Sequence, residues 1–153
     1  MELKAIEILK ERKINYKLIK LSEKAVSFED VVKYAKDEIN PNEICKTIIV
    51  KDKNGDKYAF LLKGDNKIDF SKAKEVIGNN VSFVGYEDLV KSTGIEPGAV
   101  CPLILNMPLF VDKEVLGLKK INFGSGDHLY GLEIDPKDLK KIVSFKEVSI
   151  VQS

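Results

Sequence analysis

Three places in this sequence hold residue types that can do chemistry. The first is Lys46, in Glu43-Ile44-Cys45-Lys46-Thr47-Ile48-Ile49-Val50. A lysine entering a β-branched strand has two explanations. It is an edge residue whose stem lies on apolar surface with its head in water, or it is a cation at the mouth of a pocket, where it can hold a phosphate or an ester oxygen. The second place is the loop Gly98-Ala99-Val100-Cys101-Pro102. Pro97 and Pro102 stiffen it, and Gly98 lets a backbone approach a ligand closely. Its amide groups can then orient a carbonyl or a ribose hydroxyl; the alternative is a plain loop. The third is Gly124-Ser125-Gly126-Asp127-His128. Its glycines can form a nest of backbone N–H groups facing an anion, or simply a tight hairpin turn. The pattern is not a Walker loop and lacks the spacing of a dinucleotide fingerprint. His128 is the only histidine, and a lone histidine serves either structure or a pocket.

Two cysteines complete the set, Cys45 and Cys101. Neither lies in a CxxC pair, and with one histidine there are too few soft ligands for a zinc cage. Their apolar neighbours Ile44 and Val100 indicate buried, reduced thiols. A Cys101–His128 nucleophile pair is the competing idea, but Pro102 and the apolar setting speak against it. No metal or cofactor is expected.

The elements that must position these residues follow from periodicity. Leu3 to Lys13 has helical spacing, and Tyr16 to Leu21 alternates like a strand. Ser27 caps a second helix with Asp30 three residues on, and Asn40-Pro41-Asn42 breaks the chain. Thr47 to Val50 and Tyr58 to Leu62 form a hairpin about Lys53-Asn54-Gly55-Asp56. Asp69 or Ser71 caps a helix that stops at Gly78. Strands are expected at Val81 to Val84, Leu109 to Val111, Lys120 to Phe123 and His128 to Ile134. A helix over Tyr86 to Thr93 closes at Gly94, and Pro136 starts a last helix behind Asp135. Strands and helices interleave irregularly, which favours α+β.

Composition sets the frame. The chain has 153 residues, 44% of them hydrophobic, enough for one domain over 1–153 with a core that needs no staple. Charged residues make up 32%, yet the net charge is +1. That excludes a strongly basic nucleic-acid coat, but not a few local lysines touching RNA. Arg12 is the only arginine, so point-charge contacts to phosphate are expected rather than bidentate base reading. The start MELKAIEILKERK is charged and amphipathic. The longest apolar stretch, Ala99 to Leu105, is far short of a membrane span and contains Pro102. A cytoplasmic protein with no membrane contact is expected.

Taken in order, the motifs acquire a joint meaning. Cys45-Lys46-Thr47, then Lys67-Ile68-Asp69-Phe70 before a helix, then Thr93-Gly94-Ile95-Glu96-Pro97-Gly98-Ala99-Val100-Cys101-Pro102, then Gly124-Ser125-Gly126 before a strand closely resemble the YbaK/EbsC family. It is also called the prolyl-tRNA-synthetase-associated domain family, and the resemblance spans nearly the whole chain. It implies a single α+β domain, a mixed, largely antiparallel curved sheet surrounded by helices. It also implies hydrolysis of mischarged aminoacyl-tRNA, as the editing insertion of prolyl-tRNA synthetase or as a separate deacylase. The family's key lysine falls on Lys46, its Gly-x-x-x-Pro loop on Gly98 to Pro102, and its glycine-rich loop on Gly124 to Asp127. His128 stands where the synthetase insertion and alanine-clearing relatives carry a histidine, whereas the cysteine-clearing branch usually does not.

Physical chemistry is compatible with that activity. An aminoacyl ester is already activated toward water, so an enzyme need only orient it, stabilise the tetrahedral oxyanion and place a water. No metal or acyl-enzyme is required, and the free 2′-hydroxyl of the tRNA end can do the proton work itself. Lys46 and Gly98 are the candidate catalytic residues. Ala99, Val100, Cys101, Pro102, Gly124, Ser125, Gly126 and His128 are the candidate substrate-binding residues. The expected substrate is Cys- or Ala-tRNA(Pro), handled in trans. The tRNA acceptor end is the partner and prolyl-tRNA synthetase a candidate second one. The alternative is a non-catalytic tRNA- or synthetase-binding module of the same fold; Lys46 together with an intact Gly98-x-x-x-Pro102 favours the enzyme.

Overall fold

The computed structural model describes residues 3–25, 27–36, 39–95 and 98–152. Glu96 and Pro97, which belong to the motif read above, lie outside the described residues. The architecture is organised by one hairpin, β2 (Cys45–Asp52) and β3 (Lys57–Lys63). Asp52 fixes its turn: Oδ1 accepts the backbone N–H of Asn54 at 2.8 Å and of Asp56 at 3.1 Å, while Tyr58 donates its hydroxyl to Oδ2. The β-branched run Thr47 to Val50 suits a strand with both faces covered.

Around this hairpin a five-stranded sheet forms in the order β4-β2-β3-β5-β8, with β4 at Val81–Phe83, β5 at Leu109–Asp112 and β8 at Lys146–Val148. A second sheet has the order β1-β7-β6, from β1 (Tyr16–Lys20), β7 (Tyr130–Ile134) and β6 (Ile121–Gly124). Among the described residues four of the six ladders are antiparallel, and β3–β5 and β5–β8 are parallel. The α+β class and the mixed, largely antiparallel pairing are therefore as expected, but the strands divide into two sheets rather than one. A parallel bridge, Ile44 to Asn122, joins them.

Helices α1 (Lys4–Glu11), α2 (Phe28–Tyr34), α3 (Phe70–Ile77) and α4 (Tyr86–Thr93) occupy the predicted places. Ser27 caps α2 through the Asp30 N–H, and Asp69 caps α3 through Ser71 and Lys72. The short α5 (Lys113–Leu116) and β8 were not read from sequence. Buried Asp112 holds both in place, accepting from Glu114 N–H at 3.1 Å and Ile150 N–H at 2.9 Å. The last helix begins as a 3-10 turn at Pro136–Asp138 and becomes α-helical only as α6 (Leu139–Ile142). The main core lies between the sheets, with Leu61, Val111, Ile121, Leu132 and Ile134 fully buried or nearly so. Among the described residues no helix is long and apolar enough to cross a membrane.

Candidate active site

The seam between the two sheets produces the site. Strand β2 is paired with β3 along its length, but on its other side β4 covers only Val50 to Asp52. The second sheet meets it at its start, where Ile44 bridges to Asn122. Between those points the edge of β2 faces a cavity of about 500 Å³. Lys46 lines it from β2, Val100 from the Gly98 loop, and Asn122, Phe123 and Gly124 from β6; His128 lines it from the turn before β7. The three motifs, far apart in sequence, therefore converge on one hollow.

The two loops are locked together by backbone contact. Gly126 donates its N–H to the Ala99 carbonyl at 2.8 Å. Gly124 lies under the other loop so closely that a Cβ there would sit 2.7 Å from the Val100 oxygen and 2.8 Å from the Ala99 carbonyl carbon. A trans peptide points its N–H opposite to its carbonyl. With the Ala99 carbonyl turned to the glycine loop, the Val100 N–H points away from it. Among the described residues none accepts a hydrogen bond from the backbone N–H of Ala99, Val100 or Cys101. Gly98 has φ 89°, a left-handed conformation costly for any residue with a Cβ.

Some predicted binding residues serve the loops themselves. Ser125 is 1% exposed, with its Oγ 2.7 Å from the Tyr130 carbonyl and accepting the Asp127 N–H at 3.2 Å. Ala99, Cys101, Pro102, Ser125 and Gly126 lie outside the cavity wall, whereas Lys46, Gly98, Val100, Gly124 and His128 form part of it. His128 was expected to open the strand that runs to Ile134. The structure starts β7 at Tyr130, so His128 sits in a turn and strand alternation does not orient it.

Electrostatics separates the candidates. Burial lowers the Lys46 pKa below the ordinary lysine value; nearby Glu29 and Asp65 oppose this, and Lys67 adds to it. Burial pushes the Cys45 and Cys101 thiols up to about 12. Both are therefore neutral near pH 7, too weakly ionised to act as nucleophiles. Among the described residues no cluster of three His, Cys, Asp or Glu side chains is placed to hold a metal ion.

Sequence reasoning passed over three wall residues. The Thr47 hydroxyl and both polar atoms of the Asn122 carboxamide are buried with no hydrogen-bond partner among the described residues. Phe83, 56% exposed, lines both this cavity and a smaller one of about 210 Å³ that it shares with Lys46, Lys67 and Phe70. Asn122 carried a visible signal, an amide inside the apolar strand Ile121-Asn122-Phe123. Phe83 carried none, since a single exposed aromatic is common on any surface.

An α+β frame opens at a sheet seam onto a cavity lined by a lysine, two interlocked glycine loops and a histidine, a candidate site with cationic and backbone donors. The sequence places it more closely: residues 22–142 match the aminoacyl-tRNA editing domain family, and the chain belongs to that family. Relatives of known description are proline–tRNA ligases. That of Legionella pneumophila (strain Lens) is 30% identical over 89 residues, 57% of this chain and 16% of the ligase. That of Syntrophotalea carbinolica is 27% identical over 113 residues, 71% of this chain and 19% of the ligase. The chain thus spans less than a fifth of the length of these relatives. Among solved structures, a hypothetical protein superposes with TM-score 0.87 at 27% identity, over 96% of this chain and 98% of that one. A candidate trans-editing enzyme for prolyl tRNA synthetase superposes with TM-score 0.81 at 19% identity over the whole of both chains, a likeness of fold.

Proposed function

We propose that this chain, acting over residues 1–153 as one domain, is a deacylase that hydrolyses the ester of a mischarged tRNA in trans, with Cys- or Ala-tRNA(Pro) as substrate. The observation that carries the reading is the convergence of Lys46, the Gly98 loop, Gly124 and His128 on one cavity of about 500 Å³, in a chain of the editing family. The ligases it resembles act on proline and tRNA, which supports the choice of tRNA. In this reading the acceptor end enters between the sheets. Lys46 meets the terminal phosphate or the charge developing on the ester. The Val100 N–H faces the carbonyl oxygen or the terminal ribose, and one well-placed donor to an oxyanion is worth about 3–4 kcal/mol. The 2′-hydroxyl of the tRNA end handles the proton, His128 bounds the amino-acid space, and the neutral thiols form no acyl-enzyme.

The test is single-turnover deacylation of Ala-, Cys-, Ser- and Pro-tRNA. Wild type is expected to clear one or two of these, and Lys46→Ala to lose about 10²–10³ in rate with its circular dichroism unchanged. Near-wild-type rates in the variant would remove Lys46 from the mechanism. Tight tRNA binding with no turnover on any ester would identify the non-catalytic module instead.

A further inference from the structure

Asn122 is 2% exposed, and neither its Oδ1 nor its Nδ2 has a hydrogen-bond partner among the described residues. A buried amide in that state is destabilising, so polar groups left so in a folded protein call for a reason. Its neighbours Ile121 and Phe123 belong to the main core. Strand alternation turns Asn122 to the opposite face, which it shares with Gly124 and, across the β6–β7 ladder, Gly131. All three line the cavity. The amide is therefore set in the wall of the site at a point where no other side chain answers it.

A carboxamide offers one acceptor and one donor side by side. The partner that answers both at once carries a donor and an acceptor on adjacent positions. A side-chain hydroxyl has one oxygen and engages only one of them well. An α-amino ester meets the requirement: its ammonium donates to Oδ1 while its carbonyl oxygen accepts from Nδ2. Of the charged side chains that line the same cavity, Glu29 and Asp127 favour a cation there and Lys46 opposes one.

We propose that the Asn122 carboxamide is the receptor for the free α-amino ester of the aminoacyl group, which makes the cavity read the backbone of the amino acid in addition to its size. This rests on the deacylase reading above. It means that N-blocked esters, such as formylated or peptidyl-tRNA, are excluded because they lack the ammonium group.

The probes are three non-hydrolysable compounds: 3′-deoxy-3′-(L-alanylamino)adenosine, its propionyl counterpart without the amino group, and adenosine. Binding is measured by calorimetry to wild type and to Asn122→Leu, with melting curves for both. Wild type is expected to hold the alanyl compound about tenfold or more tighter than the propionyl one, as a hydrogen bond to a charged group allows. Asn122→Leu is expected to bring the two within about threefold while melting at the same or a higher temperature, since it replaces an unanswered amide by an apolar group of similar shape. Asn122→Asp, which keeps an acceptor for the ammonium, is expected to preserve the alanyl preference. Equal binding of alanyl and propionyl compounds by wild type overturns the proposal. So does an equal loss for all three compounds, adenosine included, because an asparagine amide also fits the adenine edge. A lower melting temperature with the preference intact overturns it too, by making Asn122 structural. If wild type hydrolyses no aminoacyl-tRNA but keeps the alanyl preference, the deacylase reading fails while the receptor stands.

Discussion

At the scale of single residues, the proposed function gives the chemistry to Lys46 and the choice of amino acid to His128. Lys46 is half-buried, and desolvation holds its pKa below the ordinary lysine value. A lysine whose native pKa is lowered binds fewer protons in the folded than in the unfolded state, so this group makes stability rise with pH between the two values. Activity moves the other way, because the role requires the cation. The rate enhancement over free hydrolysis is expected to fall on the alkaline side before an unperturbed lysine would titrate. Lys46→Arg, charged throughout, is expected to be slower but to lose that limb; a pH–rate series on both proteins shows it. His128 lines the cavity from a turn, and Lys46 and Val100 border the same hollow. His128→Ala is expected to widen the amino-acid space and to raise the rate for a bulkier ester relative to the native one by on the order of tenfold. A general base would instead cost about 10²–10⁴ on every ester. Rates across Ala-, Ser-, Cys- and Pro-tRNA distinguish the two.

At the scale of elements, the site depends on two loops being held at van der Waals distance. Gly124→Ala places a methyl carbon 2.7–2.8 Å from the backbone of Ala99 and Val100, where neither atom belongs to a flexible side chain. The loops must part, and the 2.8 Å bond from Gly126 to Ala99 goes with them. The expected outcome is a loss of about 1–3 kcal/mol in stability, as for other overpacked sites, together with most of the deacylation; urea melts and single-turnover rates measure each. The sequence singled out both loops but not this contact. Helix caps such as Asp69 and turn residues such as Asn54-Gly55 act within a few positions, so they were legible, as were Lys46 and the two glycine motifs. The parallel strand β8 pairs Lys146 with Phe110, 36 positions earlier, and no local periodicity announces such a partner. Asn122 and Thr47 became visible as wall residues only once the Ile44–Asn122 bridge set β6 beside β2. Ser125 shows the converse, a motif residue whose hydroxyl is bound to its own loop.

At the scale of the whole molecule, charge limits how the chain can hold an RNA. The 25 basic and 24 acidic residues nearly cancel, and the surroundings of Lys46 repeat that balance, with Glu29 and Asp65 set against Lys67. A surface so mixed cannot follow a long stretch of phosphates. It can grip the acceptor end at a few points and leave discrimination between tRNAs to shape or to a second protein. Each phosphate neutralised adds about 0.7–0.9 to the slope of log affinity against log salt. Two to four contacts therefore give a slope of about 1.4–3.6. Between 50 and 200 mM salt, tRNA affinity is expected to fall by about 7- to 150-fold. Lys67→Ala should lower that slope by about one contact if Lys67, which lines the smaller cavity beside Lys46, touches a terminal phosphate. Filter binding of tRNA across a salt series measures both quantities. A slope near that of a strongly basic RNA binder, with eight or more contacts, would mean that the lysines form a continuous track along the tRNA and that recognition extends well beyond its aminoacylated end.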